Sequence, residues 1–557
     1  MREAALERAG RWAALAVVAL FAVVAVRTAW VSDDAYITFR TVDNVLHGLG
    51  LTWNPGERVQ AYTHPLWMLA LTAVTPLTGG PYGGALGFSL LLSLAAVAWV
   101  ALRAPGGPWA GAVAAGVLVV SKAFTDYATS GLETPLTYLI LAVFLLRFLQ
   151  WGQGPRRLLG LTLLASLGMV NRLDTALLFF PPLAWAYLEA LRKWEVSWPK
   201  AAGVAVVGLL PLVAWEAFSL VYYGVPFPNT AYAKLGTGLS TLELGRQGLA
   251  YLADSVRRDP LTLAAVAAAL GLAGWRREAR GLAVGAGVLL YLLYVVKIGG
   301  DFMSGRFLAA PVLGATVLLA TARVSPQAGA AALAGVLALG ALPAASPLLS
   351  GADYRNTALW HGIADERGYY FRRLGLLNGH PGGPGPEDHD VALGRRFRAL
   401  VASGRNFIAL PDARAGWRML DVPRHGEPRG VILFGRLGVF AYHAGPQIHV
   451  IDVLALTDPF LARLPAKATL TGQWRIGHFN RVVPKGYVES VVGGTDRLAD
   501  RRYAALYADL DRVIRGPLFT RARWRAVWRL NTGTYRGLPS PPLEAAPAQG
   551  AETPPGP

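Results

Sequence analysis

The 557-residue chain has no cysteine, and its aspartates and glutamates number 35 against 53 lysines and arginines. Without thiols there is no disulfide scaffold, zinc-thiolate site or thiol nucleophile, and the redox compartment stays open. Charge of either sign is scarce: 16% of residues carry it, against about 25% in ordinary soluble proteins, while 53% are apolar and the mean hydropathy is +0.36. A soluble enzyme of usual composition and a disordered chain are both excluded. The charge that remains is one-sided, a net +18. Basic loops of a bacterial inner (plasma) membrane protein, facing anionic lipid, explain this surplus better than nucleic acid, which is not expected as a partner. Neither a P-loop nor Gly-x-Gly-x-x-Gly after a strand is present, which argues against a nucleotide-powered pump or a nucleotide-sugar donor.

What the chain does have is apolar blocks. They lie near residues 12–30, 65–78, 85–102, 109–121, 135–150, 158–170, 175–191, 201–221, 260–274, 281–296, 307–322 and 327–348. Basic clusters at Arg2/Arg8/Arg11, Arg103, Arg147/Arg156/Arg157, Arg192/Lys193/Lys200, Arg276/Arg277/Arg280 and Arg323 all face the cytoplasm only if one block does not cross. The block at 65–78 opens on His64-Pro65, contains Pro76 and is shorter than the roughly 20 residues a span needs, so it is read as interfacial or re-entrant. About 11 transmembrane helices are then expected in residues 1–348. The N-terminus is cytoplasmic, and 31–84, 122–134, 171–174, 222–259, 297–306 and everything after about 349 lie outside. Residues 349–538 read as an extracytoplasmic mixed α/β domain, with strand-like runs at 430–434, 439–442 and 448–453 and helices at 499–515 and 518–530. Residues 539–557 are a Pro/Ala-rich tail expected to be disordered.

Polar motifs gather on the outer side. The first outer loop begins VSDDAYITFR, with Ser32 as a helix cap, Asp33 and Asp34 suited to the helix's positive end, and Gly48 as its stop. At 100° per residue Phe39, Val42, Val45, Leu46 and Leu49 share one face and Asp33, Tyr36, Arg40, Asp43, Asn44 and His47 the other, with Asp34 to the side. This pattern predicts a helix lying along the membrane surface. Capping alone accounts for an acid pair, but the same loop adds Asn54, Glu57, Arg58, Tyr62, Thr63 and His64, which is dense for a connector. Glu216 lies in an apolar block, where an acid costs about 2.5–3.5 kcal/mol to insert and so faces a cavity or a partner.

The run DDAYITFR and NVLHGLGLTWNPGERVQAYTHPLW, then SGLETPL at 130–136, YYGVPFPNTAYAK at 222–234, GGDFMSGRF at 299–307, and ALTDPFLAR at 455–463 with Gly477-His478, resemble GT-C glycosyltransferases related to the terminal β-(1→2)-arabinofuranosyltransferase of the mycobacterial cell wall. Two places depart from that family: Asn171-Arg172-Leu173-Asp174 replaces an Arg-Pro-Glu-like turn, and His64 stands where asparagine is common. The resemblance implies an all-α polytopic membrane domain of GT-C type, with interfacial helices and a C-terminal mixed α/β domain that holds acceptor glycan. It also implies inverting transfer of a sugar, arabinofuranose favoured, from a polyprenyl-monophosphate donor to a cell-envelope glycan. Another lipid-linked pentose or hexose, or a polytopic lipid or glycan transporter, is the alternative.

The catalytic acids carried over are Asp33 and Asp34, with Asp33 preferred as base because it shares the polar stripe. The leaving phosphate needs cations, for which Lys234 and Arg306, inside family-like motifs, stand ahead of Arg58 and Arg172. Snorkelling interfacial anchors are the plainer account of each. Substrate contacts are expected from Tyr36, Arg40, Asn54, Glu57, Thr63, His64, Glu133, Asp301, Asp458 and His478. For Glu133 a helix-terminal role weighs equally, and for Asp301 pairing with Arg306 is the plainer account. No cofactor is expected; no histidine pair has metal-ligand spacing, although an acid pair can bind a divalent ion.

Overall fold

The structure is a computed structural model that describes residues 2–541 except 151, 153, 194, 236, 351–358, 379–382, 413, 424–427, 467–473 and 540. Most of the expected tail lies outside the described residues. The chain divides into two compact units, each discontinuous in sequence. The first is Met1–Ser32, His64–Trp215 and Leu239–Gly383, and the second is Asp33–Thr63, Glu216–Gly238 and Pro384–Pro557. The sequence reading drew one boundary, at 348/349; the units instead group the first outer loop and the segment after Glu216 with the C-terminal region.

The first unit is helical. Each of the apolar blocks forms a helix within a few residues of its expected limits, and prolines at the first helical turn set many of the starts, as in Pro65–Thr78, Pro81–Leu102, Pro108–Val120, Pro155–Asn171, Pro260–Arg276 and Pro326–Ala341. A proline there gives up an amide that has no intrahelical partner anyway. Among the described residues four helices are long and apolar enough to cross a membrane: Ala5–Arg27, Pro81–Leu102, Trp198–Tyr222 and Ala279–Ile298. With the shorter apolar helices beside them, this is a multi-pass membrane protein. Small residues let the helices close up. A Cβ on Gly111 would lie 1.9 Å from the Ala101 carbonyl oxygen, so that contact exists only because the residue is glycine.

The second unit is built on a four-stranded sheet. Strands β1 (Phe407–Asp412), β2 (Gly416–Asp421), β3 (Gly430–Phe434) and β4 (Ile448–Asp452) lie in the order β2-β1-β3-β4, with β1 antiparallel to β2 and the β1/β3 and β3/β4 pairs parallel. Phe397, Phe407, Val431, Ile432, Phe440, Ile448 and Val450 fill its core. The expected strand at 439–442 is instead a helix, Val439–Ala444. Its first amides are taken up by a side chain some 400 positions away, a cap that no local pattern reveals.

The helix expected at the start of the first outer loop is present as Asp33–Leu46, and Gly48 beyond it has φ +75°. Its setting differs from the surface helix predicted. Tyr36, Arg40 and Asn44, from the polar stripe, are buried, while the apolar Leu46 and Leu49 are exposed. The reason lies in the Arg40 guanidinium, which donates to the carbonyls of Trp53 (2.9 Å), Ala441 (2.6 Å) and Ile448 (2.7 Å) and lies 4.6 Å over the Trp53 ring. Two more buried arginines do the same. Arg481 donates to Leu464, Phe479 and Ala233 at 2.8, 2.7 and 2.6 Å, and Arg523 to Val513, Leu518 and Tyr222 at 3.1, 3.3 and 3.0 Å.

Replacing Arg40 by methionine removes the donors and leaves buried carbonyls unsatisfied. With charged hydrogen bonds worth about 1.5–3 kcal/mol each, the second unit is expected to lose on the order of 3 kcal/mol or more. Arg40→Lys should not restore it, because one ammonium cannot span acceptors set for a planar fork. Thermal melting together with limited proteolysis of the C-terminal region measures both.

Candidate functional site

Asp33 and Asp34 open their helix, and both are half-buried. The Asp33 carboxylate accepts two main-chain amides, Gly438 N–H on Oδ2 at 3.1 Å and Val439 N–H on Oδ1 at 2.8 Å. Burial pushes its pKa up to about 6; the Val439 and Gly438 amides oppose this, and the charges of Asp390 and Asp34 add to it. A carboxylate poised nearer neutrality is a stronger proton acceptor than one at its ordinary value.

The other residues foreseen in this unit are mostly engaged with the fold. Tyr36 is buried edge-on against Tyr442, with ring centroids 5.6 Å apart. Asn54 pairs with the backbone of Val450, accepting at 3.2 Å and donating at 3.1 Å, as a strand neighbour would. Glu57 receives Arg515 at 2.5 Å. Arg58 donates to the carbonyls of Val513 (3.0 Å) and Gly516 and lies 6.0 Å from the Tyr222 ring. Asp458 accepts the amides of Phe460 and Leu461 and the Tyr487 hydroxyl, at 3.0, 2.8 and 2.8 Å, yet burial pushes its pKa up to about 7. Thr63, Lys234 and His478 are half-buried. Burial, with the charges of Arg475 and Lys234 nearby, holds His478 well below its ordinary pKa, so its imidazole is neutral at pH 7. A cleft of about 300 Å³ in this unit is lined by Arg58, Gln60, Tyr223, Asn229 and Arg463, among others.

In the first unit the structure brings together five of the foreseen residues, His64, Glu133, Arg172, Asp301 and Arg306. Glu133 is fully buried at the centre. Its Oε1 receives Arg172 Nη1 at 2.5 Å and Arg306 Nη2 at 3.5 Å, and its Oε2 faces His64 Nδ1 at 3.1 Å. Burial pushes the carboxyl up, but Arg172, Arg306 and His64 outweigh it and hold the pKa well below the usual range. Arg172 also forks onto Asp174 through Nε (2.8 Å) and Nη2 (2.9 Å), and Arg306 lies 3.6 Å from Asp301. Two half-buried guanidinium planes, fixed by carboxylates behind them, present the paired N–H donors that suit a phosphate.

Asp174 and Tyr291, whose hydroxyl lies 3.3 Å from Asp174, were not foreseen in this cluster, nor was Gly438 beside Asp33. Asp174 carried a signal, standing two positions after Arg172 in a noted motif; the other two carried none. Among the described residues no three His, Cys, Asp or Glu side chains are grouped to hold a metal ion.

Glu133→Gln leaves two buried arginines facing each other without their shared counter-charge. A loss of about 3–5 kcal/mol is expected, read as a lower melting temperature. The second unit should respond to pH with the opposite sign from most proteins. Asp33, Asp452 and Asp458 have folded pKa values raised to about 6, 6 and 7 from 3.8, so the folded state binds the extra protons and their contribution is lost as pH rises through 6–7. Melting temperature should fall between pH 5 and pH 8, and Asp458→Asn should flatten that fall.

No protein-family model matches the chain. It is similar to two proteins named terminal β-(1→2)-arabinofuranosyltransferase. That of Mycobacterium tuberculosis is 28% identical over 534 residues, covering 82% of this chain and 81% of the relative. That of Corynebacterium glutamicum is 27% identical over 520 residues, covering 81% and 72%. Among solved structures it is similar to ArnT from Cupriavidus metallidurans, in a crystal structure bound to undecaprenyl phosphate (15% identical, covering 80% of this chain and 86% of that one, TM-score 0.44) and in the apo state (16%, 80%, 90%, 0.44). The resemblance read from DDAYITFR and its companion motifs is borne out, and with it the expectation of a glycosyltransferase embedded in a membrane.

Proposed function

We propose that the chain is an inverting glycosyltransferase of GT-C type, with about eleven crossings, that moves arabinofuranose from a polyprenyl-monophosphate donor to a cell-envelope glycan on the extracytoplasmic side of a bacterial plasma membrane. The observation that carries this reading is the reach of the similarity, about four-fifths of this chain, to proteins that share one name. The half-buried acid pair fits it. One carboxylate of Asp33 and Asp34 takes the proton of the acceptor hydroxyl late in its attack, when that oxygen has become acidic. Arg306 and Arg172 neutralise charge on the departing lipid phosphate, and Lys234 adds a point charge. Asp301 steadies Arg306, and Thr63, Lys234 and His478 are the outer-loop and C-terminal groups assigned to sugar hydroxyls. Arg40, Asn54 and Arg58, engaged with main-chain carbonyls, keep no substrate role in this reading.

The test incubates purified protein in detergent with a panel of polyprenyl-phosphate sugars and a glycan acceptor. Arabinofuranose should be the glycosyl group lost from its donor, and Asp33→Ala/Asp34→Ala should lower turnover by about 10²–10⁴-fold with the melting curve intact. Transfer of a different sugar would replace the donor, while an active double variant, or a panel left entirely unconsumed, would end the proposal.

A further inference from the structure

The two acids of the pair do not share one environment. Asp33, Tyr36 and Arg40 fall at positions i, i+3 and i+7 of their helix and so on one face, and each contacts the 438–444 segment. Asp33 takes the amides of Gly438 (3.1 Å) and Val439 (2.8 Å), Tyr36 packs on Tyr442, and Arg40 donates to the Ala441 carbonyl at 2.6 Å. The segment is itself immobilised, since Leu437, Val439, Phe440 and Ala441 are buried in the core of the sheet unit. The approach is as near as backbone permits. A Cβ on Gly438 would lie 1.9 Å from the Asp33 carbonyl oxygen and 2.5 Å from its Cγ. The stripe that looks in sequence like a substrate-facing surface is a docking face, pinned at both ends. Asp34 is turned about 100° from it.

Resting on the function proposed above, we infer that Asp33 is a positioning residue and that Asp34 is the carboxylate which receives the acceptor's proton. Each Asp33 oxygen already accepts an amide. Were it to take a proton, one oxygen would become a hydroxyl facing an N–H donor, and the first turn of Val439–Ala444 would lose that bond. Asp33 therefore fixes the rotation of the helix that carries Asp34. In the step itself the acceptor oxygen bonds to the anomeric carbon, the bond from that carbon to the phosphate oxygen breaks with its electron pair leaving on the phosphate, and the hydroxyl proton passes to Asp34.

Variants of the full-length protein separate the roles. Asp34→Ala and Asp34→Asn should both lose about 10²–10⁴-fold in kcat, because an amide is no base. Asp33→Ala should lose about 10²-fold by misplacement, and Asp33→Asn, which keeps one acceptor oxygen, should recover much of it. Gly438→Ala, which adds a methyl and removes no functional group, should reproduce the Asp33→Ala defect. Hydrogen exchange at the Val439 amide should quicken in Asp33→Ala and Gly438→Ala and stay at the wild-type rate in Asp34→Asn. The inference fails if Asp34→Asn retains activity, if Asp33→Asn is as inactive as Asp33→Ala, or if Gly438→Ala turns over normally. Should the wild type transfer no sugar at all, the proposed function falls, and Val439 exchange still decides whether Asp33 is the pin.

Discussion

A guanidinium taken out of water needs acceptors for all its N–H groups, and the second unit supplies them from the main chain. Arg40, Arg481 and Arg523 are each almost wholly buried, and each donates to carbonyls on separate stretches of chain. Arg40 joins the first loop to the strand-bearing region, Arg481 reaches Ala233, and Arg523 reaches Tyr222. Burial lowers their pKa values, to about 9, 10 and 10, which still leaves them charged near neutrality. A carbonyl at the end of a helix or strand lacks a partner, and a fork that satisfies several at once makes a discontinuous unit cohere. Part of the chain's basic surplus is therefore internal structure, which a reading that gave it all to cytoplasmic loops does not capture.

The first unit handles buried charge differently. There the arginines and lysines meet carboxylates: Lys122 with Asp126 and Asp365, Arg367 with Asp126, Arg258 with Asp254, and Arg172 and Arg306 with Glu133. In an environment poor in water a lone charge is costly, and a net-neutral pair is the form that can be kept. Pairing also fixes direction. Arg172, forked onto Asp174 on one edge and tied to Glu133 on another, has little freedom left, so whatever it presents outward is presented in one geometry.

The membrane helices were legible because their signal is local: an apolar run, a proline at its start, a basic or glycine-containing end. The block at 65–78 is a helix with the limits expected, and the acid-opened helix at 33–46 was readable from Ser32, the acids and Gly48. What could not be read is what each face touches. The wheel separated polar from apolar residues correctly and then sent the polar stripe outward, since nothing near residue 40 announces the carbonyls of Ala441 and Ile448. The run Val439–Tyr442 failed for the same reason, having strand composition but a helical start capped by Asp33. The substituted turn at 171–174 and His64 were recognised as departures, yet their kinship was invisible across more than a hundred residues.

In the structure those two departures meet. His64 approaches one oxygen of Glu133, Arg172 approaches the other, and Asn171 donates to the Glu133 carbonyl at 3.0 Å. They are neighbours around one carboxylate, and neighbours in a buried network do not contribute additively. Asparagine in place of His64 would put an amide where an imidazole now shares a carboxylate with two arginines, so the charge balance around Glu133 is set jointly by positions 64, 172 and 306. Any difference in sugar choice between this chain and its relatives that arises from these substitutions has then to act through Glu133, by altering how firmly Arg172 and Arg306 are held.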